Sequence, residues 1–130
     1  MNYFFYGTLL DGDVLARVTG RKFAKSQMIR AWVKGFRRVC VTGQTYPVLA
    51  TEPSSRVEGI LIRKITSLES ALLSAYEGAY RPEEFKVVLD KGNIETAWVF
   101  THAEIADPSM PAWNFDDWRR RHKRDWLTRI

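Results

Sequence analysis

Two β-type runs, Glu84–Asp90 and Ile94–His102, are separated by Lys91-Gly92-Asn93. A short glycine-centred turn between two such runs specifies an antiparallel hairpin. This is the strongest local constraint in the chain, and it commits the fold to a sheet with an antiparallel component. Other segments supply its partners. Asn2–Tyr6 is aromatic-rich and reads as a buried strand that Gly7 ends. Met28 to Thr42 has β-type content, with Gly35 marking a bend or bulge between two strands. Gln44-Thr45-Tyr46-Pro47 is a turn into Val48-Leu49-Ala50, and Glu52-Pro53-Ser54-Ser55 reads as a loop. Val57–Ile65 is a further strand with Gly59 inside it.

Helical segments are fewer. Asp11 and Asp13 open a short helix that Gly20 stops. Thr66 and Glu69 form a capping box. The helix they start presents Leu68, Leu72, Ala75 and Tyr76 on one face, and Gly78 gives a left-handed stop. Asp107-Pro108-Ser109-Met110-Pro111 is a rigid linker, after which Asn114 caps a last helix with an apolar stripe of Phe115, Trp118, His122 and Trp126. The layout predicts an α+β domain: a mixed, mostly antiparallel curved sheet flanked by a few helices. Residues 1–106 are expected to form the domain, with 107–130 as linker and an amphipathic helix packed on it.

Composition narrows the function classes. At 130 residues the chain is one domain's worth. Five Trp, five Tyr and seven Phe in a chain 45% apolar exclude a disordered protein. A single cysteine, Cys40, allows no internal disulfide and fits a reducing compartment. No basic segment followed by an apolar one opens the chain, and no apolar run reaches the ~18 residues of a membrane helix. The expected location is the cytoplasm, with no membrane partner. The net charge of +5 and pI near 9.6 raise nucleic acid as a partner. The excess, however, is concentrated in a tail element containing Arg119, Arg120, Arg121, Lys123, Arg124 and Arg129.

Two segments carry chemistry. Glu77 falls at the C-terminal end of a well-capped helix, where the carbonyl dipoles disfavour a carboxylate by ~0.3–1 kcal/mol. Tyr76 before it and Gly78 after it suggest partial burial, which raises its pKa further and suits a proton acceptor near neutral pH. The alternative is an exposed glutamate that happens to precede a helix stop. Tyr6-Gly7-Thr8-Leu9 places a glycine directly after a strand, so backbone N–H groups of Gly7, Thr8 and Leu9 can form an anion-accepting concavity. The alternative is a strand-to-turn junction in which Gly7 is needed only for its dihedral angles.

Several residues point elsewhere and carry less. His102 and His122 lack a Cys or His partner at metal-ligand spacing, so no metal site is expected. His122 reads as a packing residue and Cys40 as an inert buried thiol. No phosphate-binding or dinucleotide glycine motif is present. Trp113, Trp118 and Trp126 with interleaved arginines could stack on nucleic acid. Docking of the helix on the sheet, arginines outward, is the preferred reading.

Together, Tyr6-Gly7-Thr8-Leu9 and Tyr76-Glu77-Gly78 resemble the gamma-glutamylcyclotransferase-like family, which has such a loop near its N-terminus and a Glu in an aromatic-Glu-Gly context mid-chain. Tyr46-Pro47-Val48-Leu49, Val57-Glu58-Gly59-Ile60-Leu61 and Tyr80-Arg81 are also similar to family segments, so the resemblance runs from residue 3 to about 101. Two features depart from it. Ser74 stands where the family often has Asp, and Pro82-Glu83-Glu84 intervenes where β-branched residues usually follow the Tyr and Arg. The resemblance implies a small β-barrel, with Glu77 as catalytic acid/base and Tyr6, Gly7, Thr8, Leu9, Tyr46 and Tyr80 around a gamma-glutamyl substrate. It implies release of 5-oxoproline with no metal or cofactor, from a monomer or weak homodimer. A second class stays open: a binding protein for an amino-acid-like ligand, or one whose basic tail holds an acidic partner or nucleic acid.

Overall fold

The computed structural model describes residues 1–130. Five strands close into a barrel, and the helices pack outside it. Strand β1 (Tyr3–Phe5) pairs antiparallel with β3 (Pro47–Ile62) and parallel with β5 (Ile94–Thr101). Strand β2 (Ile29–Cys40) lies between β3 and β4 (Arg81–Leu89), and β4 pairs with β5 as the hairpin turned at 91–93, giving the closed order β1-β3-β2-β4-β5. The fold is α+β, with the mixed, mostly antiparallel small barrel expected.

Alternation along the strands separates two cores. Phe4, Val33, Val57, Leu61, Val87 and Val99 cluster together on one side. Tyr3, Phe5, Ile62 and Phe100 join instead the side chains of the helical layer: Val14 and Leu15 of α1 (Gly12–Thr19), Leu73 of α2 (Ser67–Glu77) and Trp118 of α3 (Phe115–Arg121). Asp11 caps α1 through its side chain, and Gly20 stops it at φ 75°. The Thr66–Glu69 capping box of α2 forms as expected.

Several expectations change. The Glu52–Ser55 loop is part of one long strand, β3. The pairing steps from Lys34↔Arg56 to Phe36↔Thr51, so these residues form a bulge opposite Gly35, and β2 likewise continues through that glycine. The strand after it ends at Ile62 rather than Ile65. Strand β4 begins earlier than expected and includes Pro82. Strand β2 pairs with β4 only at Leu89 and Val88, so the missing N–H of Pro82 faces no ladder on that side. The buried face of α2 is also rotated. Glu69 and Leu73 turn inward, whereas Leu68 is 70% exposed and Leu72 is exposed as well. Buried Glu69 is held by Arg21 at 2.6 Å, so a carboxylate occupies the position that the apolar pattern gave to leucine. Gly78 has φ 62° but ψ −111°, so it ends α2 outside the left-handed helical region.

The last helix divides at His122 into α3 and α4 (Lys123–Arg129). Asn114 caps α3 by accepting from the Asp117 N–H at 2.9 Å. Trp113 and Trp118 are buried, and Phe115 and Trp126 pack against the same cluster. Cys40 is half-buried, not fully buried as expected, with its thiol 3.8 Å from the Ala112 carbonyl. No helix is long and apolar enough to cross a membrane.

Candidate functional site

The ends of β1 and β5 and the starts of β3 and β4 meet at one end of the barrel, and a cavity of about 550 Å³ opens there. Tyr6, Gly7, Thr8 and Leu9 line one side, Tyr76, Glu77 and Gly78 another, and Tyr46 and Tyr80 a third. The two segments singled out in the sequence therefore share one cavity.

The loop is built by close approach. A Cβ on Gly7 would lie 3.1 Å from Cγ of Pro47, and the φ of Gly7 is −116°. The dihedral is not left-handed, and a side chain here would press on the Pro47 ring. After it, Thr8–Leu10 winds one 3₁₀ turn closed by Leu10 N–H to Gly7 O (3.0 Å) and Asp11 N–H to Thr8 O (3.1 Å). The N–H groups that open such a turn have no partner within it. Arg38 donates to Tyr6 O at 2.8 Å and fixes the loop from the far side. Its half-buried guanidinium is held below its usual pKa by loss of water.

Glu77 is the carboxylate of the cavity, half-buried at the last turn of α2. No protein group hydrogen-bonds its side chain or forms an ion pair with it. Burial pushes its pKa up to about 8. Tyr6, Tyr76 and Tyr80 shift the same way. Tyr6, whose hydroxyl donates to Phe100 O at 2.5 Å, is raised well above its usual value, by burial first and then by the negative charge of Glu77. Burial raises Tyr76 to about 12. Tyr80 is also raised by burial, and its hydroxyl donates to Pro47 O at 2.8 Å. A neutral, aromatic-walled cleft thus surrounds one poorly solvated carboxylate, which takes up a proton near neutral pH.

Sequence reasoning missed part of the lining. Tyr76 read as a member of an apolar helix stripe, yet its hydroxyl lies 2.6 Å from Thr8 Oγ1. Trp126 read as a docking residue, yet it reaches the cavity and donates its indole N–H to the Tyr76 hydroxyl at 2.7 Å. His102 lines the cavity edge-on to Tyr80, with ring centroids 5.4 Å apart. The position of Tyr76 next to Glu77 was the available signal for one of these; nothing local marked the other two. No group of three or more His, Cys, Asp or Glu residues is placed to hold a metal ion. The tail arginines Arg119 and Arg120 pair within their own helix with Asp116 and Asp117.

The model of the family described as "Gamma-glutamyl cyclotransferase, AIG2-like" matches residues 3–120. AIG2-like protein A of Arabidopsis thaliana is 31% identical over 129 residues, covering 97% of this chain and 76% of that one. A solution structure of an Arabidopsis thaliana protein superposes with a TM-score of 0.74 at 28% identity, covering 98% of this chain and 86% of the other. A structure described as gamma-glutamyl cyclotransferase shares the fold at a TM-score of 0.60 and 20% identity, over 79% of this chain and 66% of its own.

Proposed function

The chain belongs to the AIG2-like gamma-glutamyl cyclotransferase family, and on that premise we propose that it is an acyl-transfer enzyme releasing 5-oxoproline from a gamma-glutamyl amine or peptide. One observation carries this reading. Glu77, with its pKa pushed up to about 8, lines the same cavity as the Gly7–Leu9 loop.

The chemistry follows from those two elements. The carboxylate of Glu77 takes a proton from the α-ammonium of the gamma-glutamyl group. The freed amine attacks the γ-carbonyl carbon and closes a five-membered ring. The carbonyl oxygen carries negative charge in the tetrahedral intermediate, and the N–H groups of Gly7, Thr8 and Leu9, residues that line the cavity, are the donors assigned to it or to the α-carboxylate. The bond from the γ-carbon to the leaving nitrogen then breaks as Glu77 gives its proton to that nitrogen and the carbonyl re-forms; the ring nitrogen loses its second proton through the freed Glu77 carboxylate to the departing amine, leaving a neutral lactam and an ammonium. Both ends of the reaction belong to one molecule, so much of the acceleration comes from holding amine and carbonyl in attack geometry. Tyr6, Tyr46 and Tyr80 wall the site and exclude water.

The test is 5-oxoproline release from a panel of gamma-glutamyl amino acids, amines and peptides, comparing wild type with Glu77→Gln. Turnover in the wild type that the substitution removes supports the reading. Turnover that survives the substitution takes the acid/base role from Glu77. No turnover across the panel, with retention of 5-oxoproline or glutamate by the protein, favours a binding protein.

A further inference from the structure

Helix α4 lies beyond the residues that the family model matches, yet its Trp126 lines the same cavity as Glu77. The indole is held in place. Its ring stands edge-on to Tyr46 and Tyr76 at centroid distances of 6.1 and 6.4 Å. The helix is tied back to α1 by Arg17, which donates to Leu127 O at 2.9 Å.

The hydrogen bonds here have a direction. An indole N–H donates and never accepts, so the Tyr76 oxygen accepts from Trp126. Tyr76 has one proton to place, and Thr8 Oγ1, 2.6 Å away, is the protein oxygen beside it. The bond between the two hydroxyls can run either way by geometry alone, and the arrangement that gives the Tyr76 proton an acceptor has Thr8 accepting from Tyr76. The Thr8 proton then has no protein acceptor, and the residue borders the cavity. The chain Trp126 to Tyr76 to Thr8 leaves one donor at its end, beside the place where a ligand oxygen would lie.

We propose that Trp126 is a positioning residue for ligand binding: through Tyr76 it turns the Thr8 hydroxyl into a fixed donor to a carboxylate or carbonyl oxygen of the gamma-glutamyl group. The proposal rests on the acyl-transfer reading above. It assigns a site role to a helix outside the family-matched residues. It also predicts that Trp126 and Thr8 act as one unit.

Two measurements test it. The first needs no turnover: the Trp126 indole N–H resonance is followed by NMR in wild type and in Tyr76→Phe. A slowly exchanging signal that shifts and exchanges faster in the variant is expected. A signal that exchanges fast in the wild type, or is unmoved by Tyr76→Phe, overturns the relay. The second is a double-mutant cycle on kcat/KM with Trp126→Phe, which keeps an aromatic side chain without the N–H, and Thr8→Val, which keeps the shape. Trp126→Phe alone should lower kcat/KM about two- to tenfold, the range for losing one hydrogen bond. In the Thr8→Val background the same change should have no further effect. Losses that multiply would show that Trp126 only supports the wall, and would overturn the proposal. If the wild type turns over no substrate, the cyclotransferase reading falls, and the NMR result alone decides the relay.

Discussion

The ammonium of Lys123 lies 2.9 Å from Oδ2 of Asp11, a carboxylate only 3% exposed. The other oxygen of Asp11 accepts from the N–H groups of Asp13 and Val14 at the start of α1. The backbone N–H of Asp11 donates to Thr8 O and closes the loop at the cavity. One aspartate thus joins the terminal helix, the first helix and the glycine loop.

Replacing Lys123 with Met leaves that buried carboxylate with its helix N–H partners alone. A buried charge that loses a hydrogen-bonded partner costs about 1–3 kcal/mol. Urea titration of Lys123→Met should show a lower midpoint with an unchanged slope, because the surface exposed on unfolding is the same. An unchanged midpoint would mean that water already satisfies Oδ2.

On the proposed reaction, Glu77→Gln should have opposite effects on activity and stability. Removing a general acid/base lowers turnover by about 10²–10⁴-fold. The stability effect follows from the raised pKa. Folded Glu77 titrates near 8 against an ordinary value of 4.5, so between those pH values the folded state holds a proton that the unfolded state has lost. Wild-type stability therefore falls as pH rises through that window. Glutamine carries no such penalty. The variant should gain on the wild type as pH goes from 5 to 8, by on the order of 2–4 kcal/mol at the upper end. Urea titrations at both pH values check this, and a stability gap that stays constant would mean that Glu77 is well solvated.

What was legible in the sequence was local. The 91–93 turn, the Thr66–Glu69 box and the Gly7 loop each write their geometry into adjacent residues, and each appears where expected. What was not legible depended on partners distant in the chain. The Glu52–Ser55 stretch has loop composition, but β2 alongside makes it a bulge in a strand. Leu68 and Leu72 share a helical stripe, but the burial of Glu69 by Arg21 rotates that stripe outward. Trp126 reaches the cavity only because α4 folds back across some fifty positions to Tyr76.

Gly59 sets how closely β1 and β3 approach above the cavity. A Cβ there would lie 2.1 Å from the Phe5 carbonyl oxygen and 2.7 Å from the Phe4 ring. The first neighbour is backbone and the second is a fully buried side chain, so neither yields cheaply. Gly59→Ala should destabilise by about 3 kcal/mol or more, the upper end for overpacking a filled core. Thermal unfolding would report it. A variant with an unshifted midpoint would mean that β1 can slide, and with it the Tyr6–Leu9 loop.

The pH dependence of turnover separates the enzyme's proton from the substrate's. In free enzyme the carboxylate of Glu77 forms only as pH approaches 8, so kcat/KM should rise with pH and bend near that value. Tyr76, at about 12, and Tyr80, held higher still, stay neutral across this range and add no inflection. The proposed reaction sets the substrate's ammonium against Glu77, which would favour its charged form, so the rising limb of kcat should bend at lower pH than that of kcat/KM. A falling limb at higher pH belongs to the substrate's own ammonium and should move when that amine's basicity is changed. Rate measurements from pH 5 to 10 with two substrates of different amine pKa distinguish the limbs. A rising limb that follows the substrate instead of staying near 8 would assign that proton to the ligand and take it away from Glu77.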